Sequence, residues 1–352
     1  MVDGTGRFRD HDFVETREGF LFCVVGNVHP PGRAIGYLKY VPSEAGRWGR
    51  AERYERVLKD YTMPSVEETV EMLRRGYPRY IFRSKVLGME MSAVPAGFVK
   101  RHYKPEVRLR ELHDPSGSLD PLEAKVVKFT SLLAETGGLS LDCLGVTGSI
   151  LTGIHNPSFS DIDLTVYGRG NALKLKTALD RLFQDGLASP FAGQFLESWA
   201  KDKSRRVSLS PAEIIALYER KRDRGFYDGT QFSIHPVKAR GEVRERYGEK
   251  RFRSVGLALI EARCTDAKDS IFLPATYVVR DAVVQEGPQL SDLTEVTSYD
   301  GFYAGVVREG ETLLAKGKLE QVESPRTGQH NHRLLVGSFE ARGADFIKPT
   351  AD

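Results

Sequence analysis

The sequence predicts an α/β (α+β) protein in three parts, and three observations carry that prediction. Strand-like runs alternate with amphipathic helical stretches up to about residue 245. Beyond that point the texture is almost purely strand-like. A Pro-, Gly- and Ser-rich stretch, HDPSGSLD at 113–120, reads as a linker. The expected units are therefore an N-terminal mixed α/β domain over 1–118, a central α/β core over 119–245 and a β-rich domain over 246–352. A chain of 352 residues is long enough for two or three domains, and 40% hydrophobic content is ample for their cores.

In the first unit, GFLFCVVGNV and AIGYLKYVP read as strands separated by the breaker HPPGR. SVEETVEMLRRGYP has helical apolar spacing, with Ser65 and Glu68 placed as a capping box and Pro78 beyond its end. YIFRSKVLGMEMSAVP returns to strand character.

The central unit opens with the helix PLEAKVVKFTSLLAETGG, with Pro121 in its first turn and glycines past its end. A short strand into a turn (SLDCLGVTGS), a strand (DIDLTVYG), a helix (NALKLKTALDRLFQDG), a second helix (SPAEIIALYERKRDRG) and a strand (TQFSIHPV) follow. The last unit is a series of short apolar runs, with a hairpin expected at the Arg-Glu-Gly-Glu turn of 308–311, and suggests a small barrel or sandwich.

Bulk properties exclude little. The net charge of +3 neither demands nor forbids a nucleic-acid partner, so electrostatic arguments must be local. The three cysteines are scattered and lack zinc-ligand spacing, and the N-terminus lacks the apolar core of a leader. With no apolar run near the length of a bilayer span, a cytoplasmic protein with no membrane association is expected.

The chemistry concentrates in GVTGSILTGIHNPSFSDIDLTVYG, residues 145–168. Residues i and i+2 of a strand share a face, so Asp161 and Asp163 project together while Ile162 and Leu164 turn the other way. Adjacent carboxylates repel unless a cation lies between them, and oxygen ligands of this kind suit Mg²⁺ or Mn²⁺. Gly148 allows close backbone approach to an anion and Ser149 adds a hydroxyl, with eleven residues between it and Asp161. From Lys201 to Arg224 there are eight Lys/Arg against four acids, and Arg220 and Arg224, one helical turn apart, share a face that could clamp a triphosphate. A second basic stretch spans Lys238 to Arg253.

Gly-Ser, an interval of about ten residues and Asp-x-Asp before an apolar run resemble the signature of the DNA polymerase β-like nucleotidyltransferase superfamily. The resemblance covers roughly residues 121–240. VHPPGRAIGYLKYVP and GADFIKP are in addition similar to archaeal predicted nucleotidyltransferases.

This resemblance implies a nucleotidyltransferase core that moves a nucleotidyl group from a nucleoside triphosphate to an acceptor hydroxyl, releasing pyrophosphate. An RNA 3′ end, tRNA-like or other, is the favoured acceptor. Asp161 and Asp163 would hold the metals, Gly148 and Ser149 the phosphates, and Arg220, Lys221 and Arg224 would neutralise charge.

The superfamily also expects a third carboxylate on a later strand. TQFSIHPV offers none, which leaves Asp228 and Glu261 as candidates. The alternative is a catalytically weak or inactive nucleotide- or RNA-binding module on the same fold. A haloacid dehalogenase-type reading of DIDLTV fails, because that fold needs its apolar strand before the acids and the strand here follows them.

Overall fold

Apolar residues along the first hundred positions pair into an antiparallel sheet. The computed structural model describes residues 8–60 and 63–350, so the leader reading of the first seven positions lies outside the described residues. The sheet contains β1 (Phe13–Thr16), β2 (Leu21–Val24), β3 (Arg33–Pro42), β4 (Tyr54–Arg56), β5 (Ile81–Ser84), β6 (Met89–Pro95) and β7 (Val99–Tyr103). Its order is β5-β6-β3-β2-β1-β7, with β4 on β3.

Helix α1 (Met63–Gly76) covers this sheet through Leu73, with Met72 packed beside it. It begins two residues before Ser65, which is buried inside the first turn and so does not cap the helix as expected. The apolar rhythm, not the cap, fixes where this helix lies.

The middle unit is built on helices α2 (Pro105–His113), α3 (Pro121–Gly137), α4 (Gly148–Leu151), α5 (Arg169–Gln184), α6 (Gly193–Ser204) and α7 (Pro211–Lys221). Its strands are β8 (Leu144–Val146), β9 (Ile162–Tyr167), β10 (Ser189–Pro190), β11 (Arg224–Tyr227) and β12 (Thr230–Val237), in the order β10-β11-β12-β9-β8. Only β9 and β12 run parallel. Helix α3 is closed at both ends as read, by a capping box from Asp120 and by left-handed Gly138. Helix α2 precedes the expected boundary at 118, yet Leu109 and Leu112 belong to the middle core with Val126, Leu164 and Phe232.

The third sheet consists of β13 (Arg251–Asp266), β14 (Ala275–Glu286), β15 (Leu293–Ser298), β16 (Thr312–Ser324), β17 (Gln329–Val336) and β18 (Phe346–Pro349). The order β13-β14-β15-β17-β16 returns to β13 through a β13–β16 ladder, so these strands close into a five-stranded barrel. β18 adds outside β16. The turn at 308–311 does not join a hairpin. GFYAGVV before it forms a short 3₁₀ turn and coil, with Phe302, Tyr303, Val306 and Val307 buried in the barrel core, and β15 pairs instead with β17.

Helices α6 and α7 tie the middle unit to the barrel. Ala200, Leu209, Ile214 and Leu217 enter the barrel core. Lys348 on β18 reaches Glu213, the capping-box acid of α7. That lysine first, and Ser210 next, hold the Glu213 carboxyl down to about 2. An unfolded glutamate titrates near ~4.3, so the pair's contribution is complete above that pH and is lost as pH falls toward 2. Lys348→Met should therefore lower the melting temperature at pH 7, and the gap to wild type should narrow as pH drops from 5 to 3. A gap that stays constant across that range would remove the pair from the stability of this junction.

Candidate active site

Strand β9 is central in its sheet, and its alternation splits acids from core. Ile162 and Leu164 are buried in the middle core, while Asp161, just ahead of the strand, and Asp163 face the other way into a cavity. Parallel pairing of β12 sets Ser233 opposite Asp163. Ser233 donates to Asp163 Oδ1 at 2.5 Å and lies 2.8 Å from His235 Nε2, which is itself 3.8 Å from the same oxygen.

The Gly-Ser turn closes over this carboxylate. Thr147 N–H donates to the Asp163 carbonyl at 2.8 Å, and Gly148 follows with φ 68°, in the left-handed region. A Cβ on Gly148 would stand 2.5 Å from Asp163 Oδ2. Glycine is thus required twice, by its backbone conformation and by the room it leaves above a carboxylate oxygen.

Two carboxylates this close cannot share charge evenly. The Asp161 carboxyl is raised, first by the charge on Asp163 and then by burial. Burial works against charge on Asp163 as well, but the neighbouring His235 ring, the charge of Lys39 and the Ser233 hydroxyl outweigh it and hold Asp163 well below the usual range. Asp163 is the fixed anion of the site and Asp161 the one that a cation would recruit.

The first sheet supplies the opposite wall. Thr147 Oγ1 donates to the carbonyl of His11 at 2.7 Å, and the His11 ring stacks on His235 with centroids 4.3 Å apart. His11 has φ 65°, unusual for a non-glycine residue, and its Nδ1 lies 2.7 Å from Asp10. Burial disfavours a charged His11, yet Asp10 prevails and raises it. Lys39, on β3, is 5% exposed and lines the same cavity. Its ammonium lies 5.6 Å from the Phe13 ring and 5.7 Å from the Tyr40 ring, and its charge acts on both aspartates.

The cavity measures about 1490 Å³ and takes its walls from all three units. Gly148 and Arg224 line it, and Ser149 is buried beside them, off the cavity wall. Helix α7 stops at Lys221 with Arg222 left-handed, so Arg220 and Arg224 do not share a helical face as expected. Arg224 opens β11 and bonds Asp223 at 3.1 Å. Arg220 instead bonds the Val306 carbonyl and Glu311, and Lys221 the Gly301 carbonyl, so both fasten α7 to the barrel.

Among the described residues of the cavity wall, neither candidate third acid appears. Glu261 sits on β13 and accepts from Gln285, and Asp228 turns outward at the β11–β12 hairpin beside Lys125. On β12 the position paired with Asp163 holds Ser233 and not an acid.

Over 345 residues the chain is 30% identical to the uncharacterized protein MJ1086 of Methanocaldococcus jannaschii, an alignment covering 97% of this chain and 99% of that protein. The chain belongs to the same family as that archaeal protein. No protein-family model and no solved structure matches it. Among the described residues, no helix of this family member is long and apolar enough to cross a membrane.

Lys39 and His11 were not singled out by sequence. Lys39 did leave a signal: a lysine in the middle of an apolar strand, between Leu38 and Tyr40, must be buried with partners or turned to solvent. His11 left none, because its position depends on how two units dock.

A separate cluster of Asp120, Glu123 and His155 has metal-like proximity. Its oxygens are already engaged by the α3 capping box, by Arg50 and by Arg108. It is read as a structural joint.

The crowding at Gly148 makes a direct prediction. Gly148→Ala should destabilise the fold by about 1–3 kcal/mol, whereas Gly170→Ala, in open space within α5, should be neutral or mildly stabilising. Urea denaturation of the two variants beside wild type checks this, and equal stabilities would mean the turn relaxes freely.

Proposed function

We propose that this protein is a Mg²⁺- or Mn²⁺-dependent nucleotidyltransferase of the DNA polymerase β-like kind. The observation that carries the reading is the pairing of Asp161 and Asp163 at the wall of a large cavity, with the Gly148 backbone packed close over an Asp163 carboxylate oxygen. The donor set fits the group: carboxylate oxygens suit hard divalent cations, and the mutual repulsion of the pair is relieved by one.

When bound, the metal would polarise the transferring phosphoryl group and lower the barrier to attack by an acceptor hydroxyl. The chain's own residues do the positioning. Ser233 and His235 fix Asp163, Thr147 and Gly148 hold the turn above it, and Arg224 and Lys39 offer positive charge to a triphosphate. At about 1490 Å³ the cavity exceeds the ~300–1,000 Å³ typical of one small-ligand site, which suits a nucleotide and an acceptor together. Small five-stranded barrels recur in oligonucleotide-binding proteins, and by that analogy an RNA 3′ end is the first acceptor to test.

Ser233 in the third-acid position supports a second reading, a nucleotide- or RNA-binding module without turnover. The test is label transfer from each α-labelled nucleoside triphosphate, with Mg²⁺ or Mn²⁺, onto RNA and onto protein. Transfer that falls by at least a hundredfold in Asp161→Asn and Asp163→Asn, with folding intact, is expected. Wild-type rates in those variants would rule out the mechanism, and triphosphate binding without transfer to any acceptor would leave the binding module. Arg224→Ala should raise the apparent KM for triphosphate severalfold with little change in kcat.

A further inference from the structure

Resting on the nucleotidyl-transfer reading, we propose that Lys39 takes the place of a second metal ion, so that the chain's own ligands hold a single divalent cation and the N-terminal sheet completes the triphosphate site. Three observations converge on this lysine.

The first is the small number of free oxygens. The position on β12 that faces Asp163 holds Ser233, whose hydroxyl occupies Asp163 Oδ1 at 2.5 Å. That leaves Oδ2, under Gly148, and the carboxylate of Asp161. Asp10 and Asp223 also line the cavity, but each is engaged. Asp10 accepts from Gly26 N–H at 2.8 Å and contacts His11, and Asp223 bonds Lys221 and Arg224. An Mg²⁺ that keeps several waters is served by one or two carboxylates, and two such ions are not.

The second is the rigidity and burial of the lysine. β3 holds its ammonium beside the Phe13 and Tyr40 rings. Phe13 and Tyr40 pack in one cluster with Leu151 and Ile154, which belong to and follow the short helix begun by Gly148. The platform carrying Lys39 is therefore the one that positions the Gly148 turn.

The third is the balance of charge around the cavity. Its described wall carries thirteen Lys/Arg and thirteen Asp/Glu, so it is not a general funnel for anions. Triphosphate must find its cations locally. Lys39 lines the cavity, and its charge falls on both Asp161 and Asp163.

The test compares two affinities that should move in opposite directions. Mn²⁺ binding to nucleotide-free protein, followed by electron paramagnetic resonance, is expected to show one site that Asp161→Asn removes. Lys39→Met keeps the length and apolar stem but deletes the charge. It should tighten Mn²⁺ binding roughly tenfold and weaken binding of a non-hydrolysable nucleoside triphosphate roughly tenfold, the size expected for unit charges interacting across a partly desolvated gap. Lys39→Arg should return the triphosphate affinity toward wild type. A merely structural lysine would weaken both or neither. Two Mn²⁺ sites in wild type, or unchanged affinities in Lys39→Met, would overturn the proposal while leaving nucleotidyl transfer standing. Mn²⁺ binding indifferent to Asp161→Asn and Asp163→Asn would overturn the underlying reading as well.

Discussion

Keeping Asp163 ionised inside the protein is the constraint on which the rest of this architecture turns. A buried carboxylate is costly unless hydrogen bonds and opposite charge replace its water, and a second carboxylate two residues away makes the problem worse. The chain answers with groups from two separate sheets. Ser233 and His235 come from β12, and the charge of Lys39 comes from β3. None of these is near another in sequence except Ser233 and His235. The site therefore exists only when the first two units are docked, and the contacts that dock them lie beside it: the Thr147 hydroxyl on the His11 carbonyl, the His11–His235 stack, and Arg9 paired with Glu106.

The barrel extends the same logic outward. Helices α6 and α7 pack apolar residues into it on one side, and Arg220 and Lys221 anchor the end of α7 to its loops. On the other side the β5–β6 hairpin reaches across to it. Phe252 N–H donates to the Val86 carbonyl at 2.8 Å, and Tyr247 meets Ser84 at 2.5 Å. Gly88 at the hairpin tip is confined by the Phe252 carbonyl, 2.5 Å from where a Cβ would sit. The three units thus close around the cavity as a ring, each touching the other two, and the cavity is the space left between them. The barrel contributes cavity wall without contributing to the acid pair.

The sequence was most legible where a local rule sufficed. Alternation placed Asp161 and Asp163 on one face, β12 lies within the stretch read as TQFSIHPV, and Pro121 with Gly138 marked α3. It failed where a tertiary contact overrode local pattern. The basic run ERKRDRG looks like continuous helix, but the chain turns at Arg222 to begin β11, which separates Arg220 from Arg224. GFYAGVV has the composition of a strand, yet its apolar residues fill the barrel as a turn. Helix α6, whose burial is shared between Ala200 in the barrel core and Leu196 in a small aromatic cluster, had too mixed a pattern to be read. Lys39 and His11 could not be assigned to the site at all, since nothing in their own segments encodes the docking of one sheet against another.

The remaining question is why the pair should be two aspartates if nothing binds them. Asn at 161 would keep the shape of the turn and remove the repulsion from Asp163. Gly148 points the same way: its left-handed backbone could be met elsewhere by an asparagine, but the 2.5 Å approach to Asp163 Oδ2 excludes any side chain. On the proposed reading, a cation seated between the carboxylates relieves their mutual repulsion. A site that only held a nucleotide through its base or sugar would need neither the paired acids nor that glycine. On the proposed nucleotidyl-transfer reading, the arrangement is built around a cation and the phosphates it carries, with Ser233, in place of an acid, setting how many cations the protein itself would hold.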